Sequence, residues 1–310
     1  MDNQVASNKR RSVVMIALFV IVVGAAGWAF STVVGGGPIG LVLAVFFAGG
    51  SAWFSYRYSD KVALAMSHAR PADPNIHARL HNLVEGLCIA SGVPKPGLYI
   101  VEDDAPNAFA TGRSPQHASI AVTTGLLKKM NRVELEAVLA HELSHVKNRD
   151  ILVSTIAVTM VGVIALVSDW ALRFTWWGGP RHRDDRSNDN TRWAAFVSIL
   201  GLALLILLPV IGRLMQFAVS RERESLADMS GVAMTRYPPG LISALEKLRD
   251  DQTVVHSGSK ATAHLWIESP IARRPEEALP RGESRKMSRF NRLFDTHPPL
   301  DERIAALREL

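Results

Sequence analysis

The sequence predicts a mainly helical α+β protein held in a membrane by apolar helices, and three observations carry that prediction. Four long apolar runs lie at residues 12–34, 38–54, 151–172 and 193–219. The mixed-polarity stretches between and after them show mostly helical periodicity. Short strand patterns interrupted by Asp, Pro and Gly fall between residues 98 and 123.

The chain has 310 residues, of which 48% are hydrophobic and 21% charged. Its mean hydropathy is +0.11. That apolar content is high for a water-soluble chain and is clustered in the four runs. Each run approaches the ~20 residues that span hydrocarbon as a helix. The first two are separated by Gly35-Gly36-Gly37-Pro38, a turn signal that makes them an antiparallel hairpin. Trp53, Tyr56 and Tyr58 fit an interfacial aromatic belt. The first run is too long for the apolar part of a cleaved signal peptide, so both helices are expected to be retained.

The net charge is +6. Lys9, Arg10 and Arg11 precede the first run, and Arg57 and Lys61 follow the second, as expected beside anionic headgroups. No basic motif interleaved with aromatics supports nucleic-acid binding. The basic N-terminus places both ends of the hairpin on the cytoplasmic side. The loop between the third and fourth runs holds Arg173, Arg181, Arg183, Arg186 and Arg192, which runs against that rule if the pair spans. The single cysteine, Cys88, excludes an internal disulfide and reads as core filler in an apolar helical pattern.

In the first polar stretch, residues 76–91 have helical periodicity, ended by Val93-Pro94-Lys95-Pro96. Strands are expected at 98–101, 108–111 and 119–123. A helix follows over 131–150, opened by Asn131 and Glu134 in capping-box spacing, with Val138, Leu139, Leu143 and Val146 on its apolar face. After the fourth run, helices are expected at 220–235, 241–248 and 301–310. The polar, proline-containing stretch 251–290 reads as a lid or linker. The resulting plan is an N-terminal transmembrane hairpin (1–60), the first part of a catalytic domain (61–150), a second hydrophobic helix pair (151–219) and the second part of the domain (220–310).

The chemistry lies in His141-Glu142-Leu143-Ser144-His145. Residues four apart on an α-helix differ by only ~40° around its axis. Both imidazoles can therefore reach one metal ion, with Glu142 placed as general base. A catalytic zinc ion needs a third protein ligand and an open position. Glu224 and Asp228, also four apart, are the candidates: one would bind metal and the other would orient a ligand histidine. Taken alone, the charged stretch 221–228 would read as a solvated helix face. The histidines precede the third run and Glu224 follows the fourth, so the two runs must cross a membrane together or not at all for one ion to be shared.

Four stretches together resemble the HtpX-type membrane zinc metalloproteases, relatives of the CAAX prenyl protease. They are Pro106 to Gly112, Glu136 to His145, Ser220 to Glu224 with Ala227-Asp228, and Thr296-His297-Pro298-Pro299. The resemblance implies a zincin-like metallopeptidase domain in an integral membrane protein. It implies one zinc ion on His141, His145 and Glu224, with Asp228 as companion to the ligand set. It also implies a cytoplasm-facing site in the cell inner membrane and endopeptidase action on membrane or misfolded polypeptides, as in envelope quality control and stress response. Asn107, Ala108 and Phe109 resemble the family's edge strand, beside which an extended substrate would add; they read equally well as an ordinary structural strand. His297 and Arg221 are candidate donors to the developing oxyanion. Alternatively, His297 packs the C-terminus in a turn and Arg221 pairs with Glu222 or Asp228. Two other classes stand against the enzyme: a catalytically silent zinc-binding membrane scaffold, which would have no need of Glu142, and a channel or lipid-binding protein in which the motif is accidental.

Overall fold

A computed structural model describes residues 37–156, 221–254, 265–267 and 298–310, with scattered positions between 10 and 28. The first apolar run is thus described only in part, and residues 157–172 of the third run, the loop after it and the whole fourth run lie outside the described residues. So does His297.

Helix α1 covers Gly37–Met66 and continues well past the expected end at Phe54. Its first two-thirds expose Ile39, Phe46, Phe47 and Trp53. Its last turns bury Ala63 and Leu64 against the domain. Among the described residues, no helix is long and apolar enough to cross a membrane.

A short strand β1 (Arg70–Pro71) leads to α2 (Ala78–Ser91). Gly92, in the left-handed region at φ 70°, closes that helix. Strands β2 (Gly97–Val101), β3 (Ala108–Gly112) and β4 (Ala118–Thr123) follow. The sheet order is β1-β2-β4-β3. β2 runs parallel to β4, while β3 pairs antiparallel with β4 and forms an edge. The β3–β4 connection needs Gly112: at φ 137°, an added Cβ would lie 2.3 Å from the His117 carbonyl oxygen.

Alternation along the strands divides the sheet into two faces. Ile100, Ala108, Ala110, Ile120 and Val122 join the main core. Val101, Phe109 and Ala121 face Ala63 and Leu64 of α1 together with Leu265 and Trp266. Trp266 is fully buried and packs edge-on against Phe109, with ring centroids 4.7 Å apart. The stretch expected to be a lid or linker therefore contributes at least these residues to the core.

Helices α3 (Thr124–Lys129) and α4 (Arg132–Lys147) come next. The expected capping box is present: the Asn131 side chain accepts from the Glu134 amide, and Glu134 accepts from the Asn131 amide. After the undescribed stretch come α5 (Arg221–Thr235), α6 (Pro238–Asp250) and α7 (Leu300–Arg308). α4 is buried on nearly every side, packed between β3, α2, α5 and α6. Cys88 is buried in the main core, as expected.

Candidate metal centre

The imidazoles of His141 and His145 stand one turn apart on α4, with ring centroids 4.8 Å apart and planes at 89°. Their Nε2 atoms are 3.2 Å apart. Glu224, on α5, brings Oε2 to 3.7 Å from Nε2 of His141 and Oε1 to 3.6 Å from Nε2 of His145. These donors form a group that could hold a metal ion. A tetrahedral zinc ion with ligands at about 2.0–2.1 Å separates them by roughly 3.3 Å, so the donor set and its spacing both fit.

Each histidine is held from behind. Nδ1 of His141 lies 2.9 Å from Oδ1 of Asp228, one turn beyond Glu224 on α5. Nδ1 of His145 lies 3.2 Å from Oδ2 of Asp150. A carboxylate at Nδ1 fixes the proton there and leaves the Nε2 lone pair facing the other ligands. Two lone pairs and a carboxylate converging in a buried space repel one another unless a cation sits between them. The same field acts on His145. Burial lowers its pKa, but the Asp150 hydrogen bond and the charges of Glu224, Asp150 and Glu142 prevail and raise it to about 9.

Asp150 was not among the residues singled out from sequence. On a helix running through 150, as the sequence suggests, it would point ~140° away from His145. Instead α4 ends at Lys147, and Arg149 takes a left-handed conformation (φ 60°). The break turns Asp150 back onto His145, and a new helical segment starts over residues 150–156. Thr155 in that segment bonds Thr111 and the Gly112 amide, tying it to β3.

Arg303 was missed as well. Its Nε donates to Oδ2 of Asp228 at 2.9 Å and its Nη2 to Oδ1 at 2.6 Å. Burial raises the Asp228 pKa, but the Arg303 and His141 charges outweigh it and hold the group down at about 2. The signal for Arg303 was its position: Leu300, Arg303, Ile304 and Leu307 fall at the spacing of one helix face.

Glu142, next to His141 on α4, is buried. Arg221 begins α5, three residues ahead of Glu224. Asn107, Ala108 and Phe109 are buried in or next to β3, and the Ala108 carbonyl accepts from the Ile267 amide at 2.9 Å. At that register the chain itself occupies the outward side of the edge strand. A cavity of about 190 Å³ opens beside Asp228 between α5 and α7, lined in part by Ser225, Met229, Pro298 and Ala306.

The profile of peptidase family M48 matches residues 74–310. The protease HtpX homolog of Thermoanaerobacter pseudethanolicus is 43% identical over 305 residues, covering 98% of this chain and 96% of the relative. The protease HtpX homolog of Tropheryma whipplei is 42% identical over 309 residues, covering 99% of this chain and 97% of the relative. Among solved structures, the crystal structure of S. mikatae Ste24p aligns with a TM-score of 0.47 at 16% identity, over 99% of this chain and 66% of that one.

Proposed function

Because the chain belongs to peptidase family M48, we propose that it is a membrane-embedded, zinc-dependent endopeptidase. Its proposed substrates are membrane or misfolded polypeptides, and its proposed setting is protein quality control in the cell inner membrane, with the site facing the cytoplasm. One observation supports the metal reading above the rest: two imidazoles and one carboxylate, from α4 and α5, converge at 3.2, 3.6 and 3.7 Å. The family is a metallopeptidase family, and two nitrogens with one oxygen are a donor set suited to catalytic zinc.

Bound there, zinc would polarise the scissile carbonyl and acidify the attacking water. The protein's own part is distributed as follows. His141, His145 and Glu224 hold the ion, and Asp228 and Asp150 orient the two imidazoles. Glu142 takes up the proton of the attacking water at its carboxylate and returns it to the departing amine. Arg221 and His297 are the candidates to donate to the oxyanion. A peptide adding to β3 would have to avoid Ala108, whose carbonyl is already engaged.

The exposed face of large apolar side chains on α1 supports contact with lipid. That helix is continuous with turns buried under the sheet, which would hold the domain at the bilayer surface. The meeting of His145 with Glu224 supports an even number of crossings between them. The competing scaffold reading has no use for a buried Glu142 next to a ligand. Metal content and casein cleavage, each with and without chelator, test the proposal in wild type and Glu142→Gln. Chelator-sensitive cleavage lost in the variant, with zinc retained, is expected. Zinc without cleavage in the wild type would favour the scaffold.

A further inference from the structure

Arg303 enters the centre from the last helix of the chain. On α7 it shares the inward face with Ile304 and Leu307, and it is only 4% exposed. Arginine is rarely buried so completely unless it is paired. Here it grips both oxygens of Asp228, at 2.9 and 2.6 Å. A two-pronged guanidinium–carboxylate pair fixes the plane of the carboxylate as well as its distance. Oδ1, one of the gripped oxygens, is also the atom 2.9 Å from Nδ1 of His141. The same guanidinium brings Nη1 to 3.8 Å from Oε2 of Glu224. One cation thus touches the partner of one imidazole and faces the carboxylate of the ligand group. It also offsets part of the negative charge gathered by Glu142, Glu224, Asp150 and Asp228.

We propose that Arg303 is a positioning residue of the metal centre: it locks Asp228 in the orientation that aims Nε2 of His141 at the ion, so that assembly of the centre depends on docking of the C-terminal helix. This rests on the ligand set proposed above. Side chains that orient metal ligands affect metal affinity by about 10–100-fold when removed. Lysine, a point charge, can neutralise Asp228 but cannot fix its plane.

The test is zinc affinity of the full-length protein in detergent, stripped and then titrated against a competing chromophoric chelator. Thermal midpoints of the zinc-free forms are read alongside. Glu224→Gln should lose tight binding, and if it binds as wild type does, the ligand set itself is wrong and Arg303 falls with it. If Glu224→Gln loses zinc, Arg303→Gln should weaken binding by about 10–100-fold, with Arg303→Lys falling between. Arg303→Gln combined with Asp228→Asn should lose clearly less than the sum of the two single losses, because the main contacts of Arg303 are to that carboxylate; fully additive losses would overturn the proposal. Wild-type zinc affinity in Arg303→Gln, even with a lowered zinc-free midpoint, would mean a purely structural role and overturn the proposal. Should Arg303→Gln fail to fold, wild-type affinity in Arg303→Lys would overturn it equally.

Discussion

Gly231 of α5 lies directly against the backbone of His141 in α4: a Cβ added to it would come 3.1 Å from the His141 nitrogen and 3.2 Å from its Cα. The two helices that carry all the proposed ligands can approach this closely because no side chain separates them. Glu224 and Asp228 precede Gly231 by two turns and one, so any widening here moves both carboxylates away from the imidazoles. Gly231→Val is expected to cost about 1–3 kcal/mol through overpacking and to lower metal content. Gly231→Ala should be milder, since the neighbours need to give by only a few tenths of an ångström. Urea unfolding combined with metal analysis checks both, and a Gly231→Val protein of wild-type stability and metal content would contradict the close approach.

Glu142→Gln preserves the shape of a buried side chain while removing its ability to take up a proton. Cleavage should fall by about 10²–10⁴-fold, the usual contribution of general acid–base catalysis. Metal content should stay at the wild-type level, because Glu142 is outside the ligand group. Parallel casein cleavage and metal measurements separate the two effects. A variant that loses zinc as well would place Glu142 among the ligands.

Asp150→Ala removes the group behind His145 without touching the three ligands. Zinc affinity should drop by about 10–100-fold, which competition with a chelator would measure. An unchanged affinity would mean that the contact at 3.2 Å is incidental.

Asp150 and Arg303 also show which parts of the centre the sequence could and could not reveal. His141, Glu142 and His145 were legible because four-residue spacing on one helix fixes their relation locally. Asp228 and Glu224 were legible as a pair for the same reason, but their approach to α4 is tertiary and needed the resemblance to single out Glu224. Asp150 depends on a left-handed break at Arg149, which no periodicity encodes. Arg303 sits in Asp301-Glu302-Arg303, a run that reads as solvated unless its place in the Leu300, Ile304 and Leu307 stripe is noticed. The strands were found within a residue or so because they alternate and are bounded by Gly and Pro. β1 and α3 are too short to show a period. Trp266 lies in a polar stretch, and its burial follows from the shape of the sheet face under α1.

Trp266 fills the space between Phe109, Ala63 and Leu64, away from the ligand group. Trp266→Ala should destabilise the fold by about 3–5 kcal/mol, as expected for a buried aromatic truncated to Ala. Its metal affinity, measured below the unfolding transition, should match wild type. If the variant is as stable as wild type, residues 265–267 are not the core element that their burial indicates.

Glu134 links the start of α4 to α6, and it gives the fold a pH dependence of definite sign. Besides closing the cap, its carboxylate accepts from Ser243 and from Lys247, each at 2.7 Å. Burial raises its pKa, but the bonds from Lys247, Ser243 and the Asn131 amide outweigh that and hold it below its ordinary value of 4.5. A carboxyl that ionises more readily folded than unfolded stabilises the fold fully above its unfolded pKa. That contribution is lost as the pH falls through the lower folded value. Glu134→Gln should therefore be less stable than wild type by about 1.5–3 kcal/mol near neutrality, the range for hydrogen bonds to a charged group. The gap should narrow as the pH falls from about 4.5 through the lower folded value, because the unfolded carboxyl takes up its proton first and the folded one only at the lower pH. Denaturant titrations of the zinc-free proteins from neutral to acid pH give both numbers, and a gap that stays constant across that range would show that the ionised Glu134 is not what holds α4 to α6.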